Sequence, residues 1–119
     1  MRVRNYRKVR PAPVIEEPGV SVRWLVNEMS EVLNFALRLY EMEPESSTAS
    51  YIRYWEYQLF VLSGKGVVIG QNGQVSLREG DVVYIPPAEH HQFVNRGDEV
   101  LRFLMVLPIP QLLTSEKLT

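Results

Sequence analysis

Gly80-Asp81-Val82-Val83-Tyr84-Ile85-Pro86-Pro87-Ala88-Glu89-His90-His91-Gln92-Phe93-Val94-Asn95 is the stretch that decides the fold of this 119-residue chain. Glu79-Gly80-Asp81 turns the chain into the short apolar run Val82 to Ile85. Pro86 and Pro87 lack the N–H that a sheet ladder needs, so they end that strand before a second one, His91 to Val94, begins. Asn95-Arg96-Gly97-Asp98 supplies the next turn. Successive strand side chains point to opposite faces, so an inward His91 requires an outward His90.

The same grammar continues on both sides. Val67 to Ile69 and Val75 to Leu77 flank Asn72-Gly73, the dipeptide best suited to the two positive φ angles of a tight hairpin turn. Val100 to Leu107 is a nearly continuous apolar strand with Arg102 inside it, stopped by Pro108 and Pro110. Upstream, Tyr51 to Leu62 places Gln58, Phe60 and Leu62 on one face and Leu59 and Val61 on the other. Both faces of this run are expected to be covered, and it ends at Ser63-Gly64-Lys65-Gly66. Phe35 to Met42 reads as a strand closed by the loop after Pro44, and Val20, Val22, Trp24 and Val26 alternate as the buried face of another. Short strands separated by turn signals every 8 to 12 residues or so, with no helical period, predict an all-β sandwich or barrel. The segment 1–18, with Pro11, Pro13 and Pro18, is expected to be an extended arm; 19–108 forms the barrel domain and 109–119 a C-terminal tail.

Composition narrows the chemistry. Thirteen basic and fourteen acidic residues leave a formal charge of −1, so no net field draws the molecule to nucleic acid or to an anionic membrane. With no cysteine, disulfides, thiolate metal sites and cysteine nucleophiles are excluded. Arg2, Arg4, Arg7, Lys8 and Arg10 precede no apolar run, so no secretory signal is expected, and no stretch approaches transmembrane length. A cytoplasmic protein is expected. The basic arm suits either a nucleic-acid contact or an edge strap whose charges face water, and the strap is the expectation because aromatic–basic interleaving stops at Tyr6.

The spacing Gly80, Pro86, the small residue Ala88, His91 and Asn95 resembles the second motif of the cupin superfamily, with alanine where the family usually has glycine. Pro44 through Gly64 is similar in length and landmarks to the first motif, including Trp55-Glu56 and Phe60-Val61-Leu62. The resemblance spans about residues 35 to 107 and implies a small barrel of the double-stranded β-helix, or jelly-roll, type. It also implies a site inside the barrel, where metal-binding members supply two histidines, an acidic or amide residue and a third histidine. Carried over, those positions fall on Tyr51, Arg53, Gln58 and His91, so one imidazole is retained.

That replacement has physical consequences. Arg53 stays protonated, and a guanidinium about 5 Å from a dication is repelled by roughly 6 to 7 kcal/mol at an effective dielectric near 20. Even with Arg53 swung away to pair with Glu56, a divalent transition metal would have only His91 as a strong ligand, with Gln58 and Tyr51 as weak ones. No cofactor is therefore expected. Tyr51, Arg53, Gln58 and His91 instead form a candidate binding set for a small anion such as a carboxylate or sugar acid. Two further readings stand beside this one. In the first the chain is a cupin enzyme, an isomerase, decarboxylase or dioxygenase with an atypical metal site, or a metal-free isomerase or lyase with His91 as acid/base and Arg53 steadying an enolate. In the second it is a structural or interaction protein. Glu89, Trp55 and Tyr57 are expected near the barrel mouth, Trp55 as an interface anchor, and the family resemblance implies a homodimer.

Overall fold

The computed structural model describes residues 1–27, 32 and 34–109. After a 3-10 turn at Tyr6–Lys8, the strands are β1 Ala12–Pro13, β2 Val20–Val26, β3 Phe35–Met42, β4 Tyr57–Ser63, β5 Lys65–Gly70, β6 Gly73–Arg78, β7 Val82–Ile85, β8 His91–Val94 and β9 Leu101–Pro108. They form two antiparallel sheets, one ordered β1-β2-β3-β9-β4-β7 and the other β6-β5-β8. This is the expected all-β jelly-roll barrel. Among the described residues, no helix is long and apolar enough to cross a membrane. The tail expected over 109–119 lies outside the described residues, apart from Ile109.

The core follows from period-two alternation. Tyr57, Leu59 and Val61 of β4 and Leu101, Phe103, Met105 and Leu107 of β9 all turn into the barrel and are buried. Phe103 stacks on Tyr40 and meets Phe93, with ring centroids 5.2 and 5.0 Å apart. Gly64 makes the turn into β5 at φ 86, and a Cβ there would lie 2.5 Å from the Val100 carbonyl oxygen, so both backbone conformation and space call for glycine. Asn95, fully buried, explains why the second motif ends in asparagine. Its amide nitrogen donates to the Met42 and Glu99 carbonyls at 2.9 and 2.8 Å, and its oxygen accepts from the Gly97 N–H at 2.9 Å.

Three expectations are corrected. β4 is covered on one face only: Phe60 and Leu62 are 44% and 39% exposed, because nothing among the described residues packs over that side of the sheet. In the β5–β6 hairpin, Gly70 pairs with Gly73, so the turn is centred on Gln71-Asn72 rather than Asn72-Gly73, and Gly73 alone there takes a positive φ. The alternation of β2 breaks after Trp24, where a register shift sets Val26 opposite Leu37.

The N-terminal segment is a strap. β1 adds to the edge of β2, and Arg4 reaches the Leu25 carbonyl at 2.6 Å. Arg23 reaches back to the carbonyls of Tyr6 and Val9 at 3.3 and 2.8 Å while its Nε meets Glu41 at 2.6 Å. Glu41 also takes Arg102 at 2.9 Å. Burial alone would raise the Glu41 pKa, and the hydrogen bonds from Arg23 and Arg102 more than offset it, so the net shift is downward.

Candidate functional site

The irregular chain after β3 runs alongside β8 and delivers Tyr51 to the barrel. Thr48 takes the Phe93 N–H on its hydroxyl at 3.0 Å, and its carbonyl accepts from the Gln92 side chain at 2.9 Å. Tyr51 and His91 then exchange two backbone hydrogen bonds of 2.8 Å. Directly opposed residues of an antiparallel bridge share a face, so both side chains enter the same cavity. That cavity, of about 400 Å³, is lined by Trp24, Arg38, Tyr40, Tyr51, Arg53, Trp55, Tyr57, His91, Phe93 and Phe103, among others.

His91 is 3% exposed, whereas its neighbour His90 faces out and meets Ser50. The Nδ1 of His91 lies 3.0 Å from the Glu89 carbonyl. A carbonyl only accepts, so the proton sits on Nδ1 and Nε2 presents a lone pair. Burial lowers the His91 pKa, and the Arg53 charge adds to this, against the raising effect of the Glu89 carbonyl. The ring is held neutral.

Arg53 lies over the rings of Tyr51 and Trp55, with its central carbon 4.5 and 5.8 Å from their centroids. It does not pair with Glu56, which instead accepts from the Tyr84 hydroxyl at 2.7 Å. Its own main-chain carbonyl accepts from the Ala88 N–H at 2.6 Å, which fastens this segment to the turn before β8.

Gln58 is the residue the structure removes from the expected set. It is exposed on the outer face of β4, paired across to Tyr84 and Val106. Tyr57, 4% exposed, takes the inward position because it shares the parity of Leu59 and Val61. Burial raises the Tyr57 pKa, and the charges of Arg53 and Arg38 pull against that rise. Tyr57 and Trp55 thus belong to the interior rather than to a mouth. Trp55 is 5% exposed and packs edge-on to Tyr57, and its indole nitrogen has no partner among the described residues, so it is not placed as a surface anchor.

Two further residues escaped the sequence reading. Arg38 of β3 enters the cavity from the opposite wall, where its guanidinium lies 4.7 Å from the Trp24 ring and 5.5 Å from that of Tyr40. One terminal nitrogen touches the Met105 sulfur at 3.3 Å, and Nε is buried without a partner among the described residues. Its signal was parity with Ala36, Tyr40 and Met42, the inward residues of the same strand. The other is Glu17, 4% exposed, which accepts a short hydrogen bond from the Tyr51 hydroxyl through Oε2. Burial first, and then Glu17, push the Tyr51 pKa far above its usual value. No pattern marked Glu17, which sits beside Glu16 and Pro18 in a segment read as an arm.

The chemistry of this donor set does not fit a transition dication. His91 is the one imidazole in the cavity, Tyr51 has its proton engaged by Glu17, and two guanidiniums look in. No three His, Cys, Asp or Glu side chains converge among the described residues.

The family profile described as a cupin domain matches residues 38–107. Among solved structures, the chain is similar to the polyketide cyclase RemF from Streptomyces resistomycificus, at 27% identity and a TM-score of 0.85, covering 91% of this chain and 79% of that one. It also resembles a predicted oxalate decarboxylase from Thermotoga maritima, at 23% identity and a TM-score of 0.79 over 91% of this chain and 99% of that one. A sugar phosphate isomerase from Silicibacter pomeroyi is 22% identical, with a TM-score of 0.76 over 87% and 73% of the two chains. No match was found among curated protein sequences.

Proposed function

From the premise that this chain belongs to the cupin superfamily, we propose that its barrel binds a small organic anion of the carboxylate class between aromatic walls, without a tightly held metal. The observation that carries this is the pair Arg38 and Arg53. Both guanidiniums look into one cavity, neither has a carboxylate partner among the described residues, and none of the described residues lining the cavity is acidic. Half-buried cations without a partner favour an anion, and a guanidinium matches a carboxylate through two parallel hydrogen bonds. The aromatic rings supply flat apolar surface for the rest of the ligand. Likeness to a protein named as a polyketide cyclase is in keeping with an oxygenated organic ligand.

Benzoate and its neutral amide, benzamide, test this. Benzoate raises the melting temperature of the wild type and benzamide does not, and Arg53→Ala and Arg38→Met each remove the effect. Equal stabilisation by the two compounds, or an unchanged effect in both variants, overturns the proposal. A full equivalent of transition metal surviving dialysis overturns its metal-free part.

The homodimer implied by the family resemblance has a candidate face. Phe60, Val82, Tyr84 and Val106 are exposed on one face of β7, β4 and β9, around Gln58, which lies between Tyr84 and Val106, with β7 at the sheet edge. Exposed apolar faces of this kind mark contact surfaces.

A further inference from the structure

The polarity of the cavity wall selects more than charge. Tyr51 has one hydroxyl proton, and it points to Glu17. The phenol oxygen therefore offers only lone pairs to the cavity. The Nδ1 proton of His91 points to the Glu89 carbonyl, so Nε2 likewise offers only a lone pair. These two acceptors belong to one bridge pair on one face, with ring centroids 6.3 Å apart. Arg38 and Arg53 are donors with no acceptor capacity. The cavity thus holds acceptors at Tyr51 and His91 and donors at the two guanidiniums, with Arg53 over the Tyr51 ring.

Glu17 enforces this polarity. It sits in a tight turn whose backbone is fixed by hydrogen bonds from the Glu17 N–H to the Val14 carbonyl and from the Val20 N–H to the Glu17 carbonyl, at 3.2 and 3.0 Å. Glu16 takes a left-handed φ of 67 and is exposed, while Glu17 turns in and is buried. A buried carboxylate is an obligatory acceptor, and Oε1 has no partner among the described residues, so the Tyr51 proton is held there rather than released to a ligand.

Building on the anion-binding reading, we infer that the ligand is a hydroxy acid: its carboxylate meets the arginines, its hydroxyl donates its one proton to the Tyr51 oxygen, beside the lone pair of His91, and Glu17 is the residue that determines this specificity. A site lined with buried acceptors discriminates strongly against a ligand that lacks the matching proton, because the acceptors are then left unpaired.

The test is isothermal titration of 3- and 4-hydroxybenzoate against the 3- and 4-methylbenzoates, which keep the shape and lose the proton. In the wild type the better hydroxy compound binds at least tenfold more tightly than its methyl counterpart. In Glu17→Leu the Tyr51 proton is freed and that ratio falls at least threefold. Glu17→Gln, whose amide oxygen still accepts from Tyr51, retains the ratio. Tyr51→Phe removes one acceptor and lowers the ratio, which provides a second reading if the leucine variant does not fold. A wild-type ratio near one, or a ratio indifferent to both Glu17→Leu and Tyr51→Phe, overturns the inference even where benzoate binds through the arginines. Absence of benzoate binding overturns the parent proposal instead.

Discussion

The Tyr51 hydroxyl donates to the Glu17 carboxylate across 34 residues of sequence, tying the N-terminal segment to the barrel interior. The other carboxylate oxygen is buried with no partner among the described residues. Removing the phenol oxygen would leave the whole carboxylate unpaired, so Tyr51→Phe is expected to cost about 2 to 4 kcal/mol. In a Glu17→Leu background the same change should cost under about 1 kcal/mol, since no buried charge remains to be stranded. Urea denaturation of the four proteins in this cycle measures the coupling. Equal costs in both backgrounds would show that the two residues are not coupled.

His91 gives the stability a pH dependence of known sign. Its folded-state pKa lies below the ordinary 6.5 because burial disfavours the charged ring. As pH falls through 6.5 the unfolded chain takes up the proton first, so the contribution of the buried neutral ring is full above that value and is lost progressively below it. Glu41, with its pKa lowered from 4.5, contributes above that value and loses its contribution only in more acid solution. Between about pH 7.5 and about pH 5.5 the wild type should therefore lose more stability than His91→Gln. Parallel losses in the two proteins, read by denaturation at both pH values, would remove His91 as the source.

Ala88 occupies a left-handed conformation, φ 64, at the position where the family pattern has glycine. An L-residue there costs roughly 1 to 2 kcal/mol, while introducing glycine adds about 0.4 to 1 kcal/mol of unfolded-chain entropy. Ala88→Gly is thus expected to stabilise the protein by up to about 1 kcal/mol, the reverse of an ordinary alanine-to-glycine change. Because the Ala88 N–H holds the Arg53 carbonyl, benzoate binding should be retained as well. A loss of about 1 kcal/mol in denaturant titration would show that the turn prefers alanine.

The strands were legible because alternation, Pro-Pro breaks and glycine turns are local signals, and Gly80 to Asn95 carries all three. The site was legible only in part. Tyr51, Arg53 and His91 line one cavity, but Gln58 was carried over by counting along the first motif, while the parity of Leu59 and Val61 selects Tyr57. The shifted turn at Gln71-Asn72 and the broken alternation at Trp24 are one-residue changes of register, which residue preference does not fix. Arg38 shares its run with a second charge, Glu41, and only its parity with Ala36 and Met42 places it inward. Glu17 depends on the left-handed φ of Glu16 and on a partner 34 residues away, and neither leaves a trace in local sequence.

The apolar face over β4 and β7 makes its own prediction. If Phe60, Val82 and Tyr84 meet a second copy, light scattering on a sizing column gives twice the chain mass at micromolar concentration. Val82→Lys, at a site 74% exposed, should then yield a folded monomer, because a charge in the centre of such a contact is left desolvated. A wild-type monomer overturns the homodimer.

Arg38 separates stability from binding. Its Nε is buried without a partner among the described residues, and its guanidinium packs on Trp24, Tyr40 and Met105. Methionine keeps much of that packing and removes the desolvated charge, and replacing buried charges by apolar groups is often neutral or stabilising by about 1 to 4 kcal/mol. Arg38→Met should therefore be at least as stable as the wild type to urea while losing stabilisation by benzoate. That outcome, a half-buried guanidinium without a carboxylate partner among the described residues kept at the expense of stability, would support a cavity shaped for an anion. If Arg38→Met is instead destabilised by more than about 2 kcal/mol, the guanidinium belongs to the packing of the barrel, and Arg53 is left as the cavity's anion-binding group.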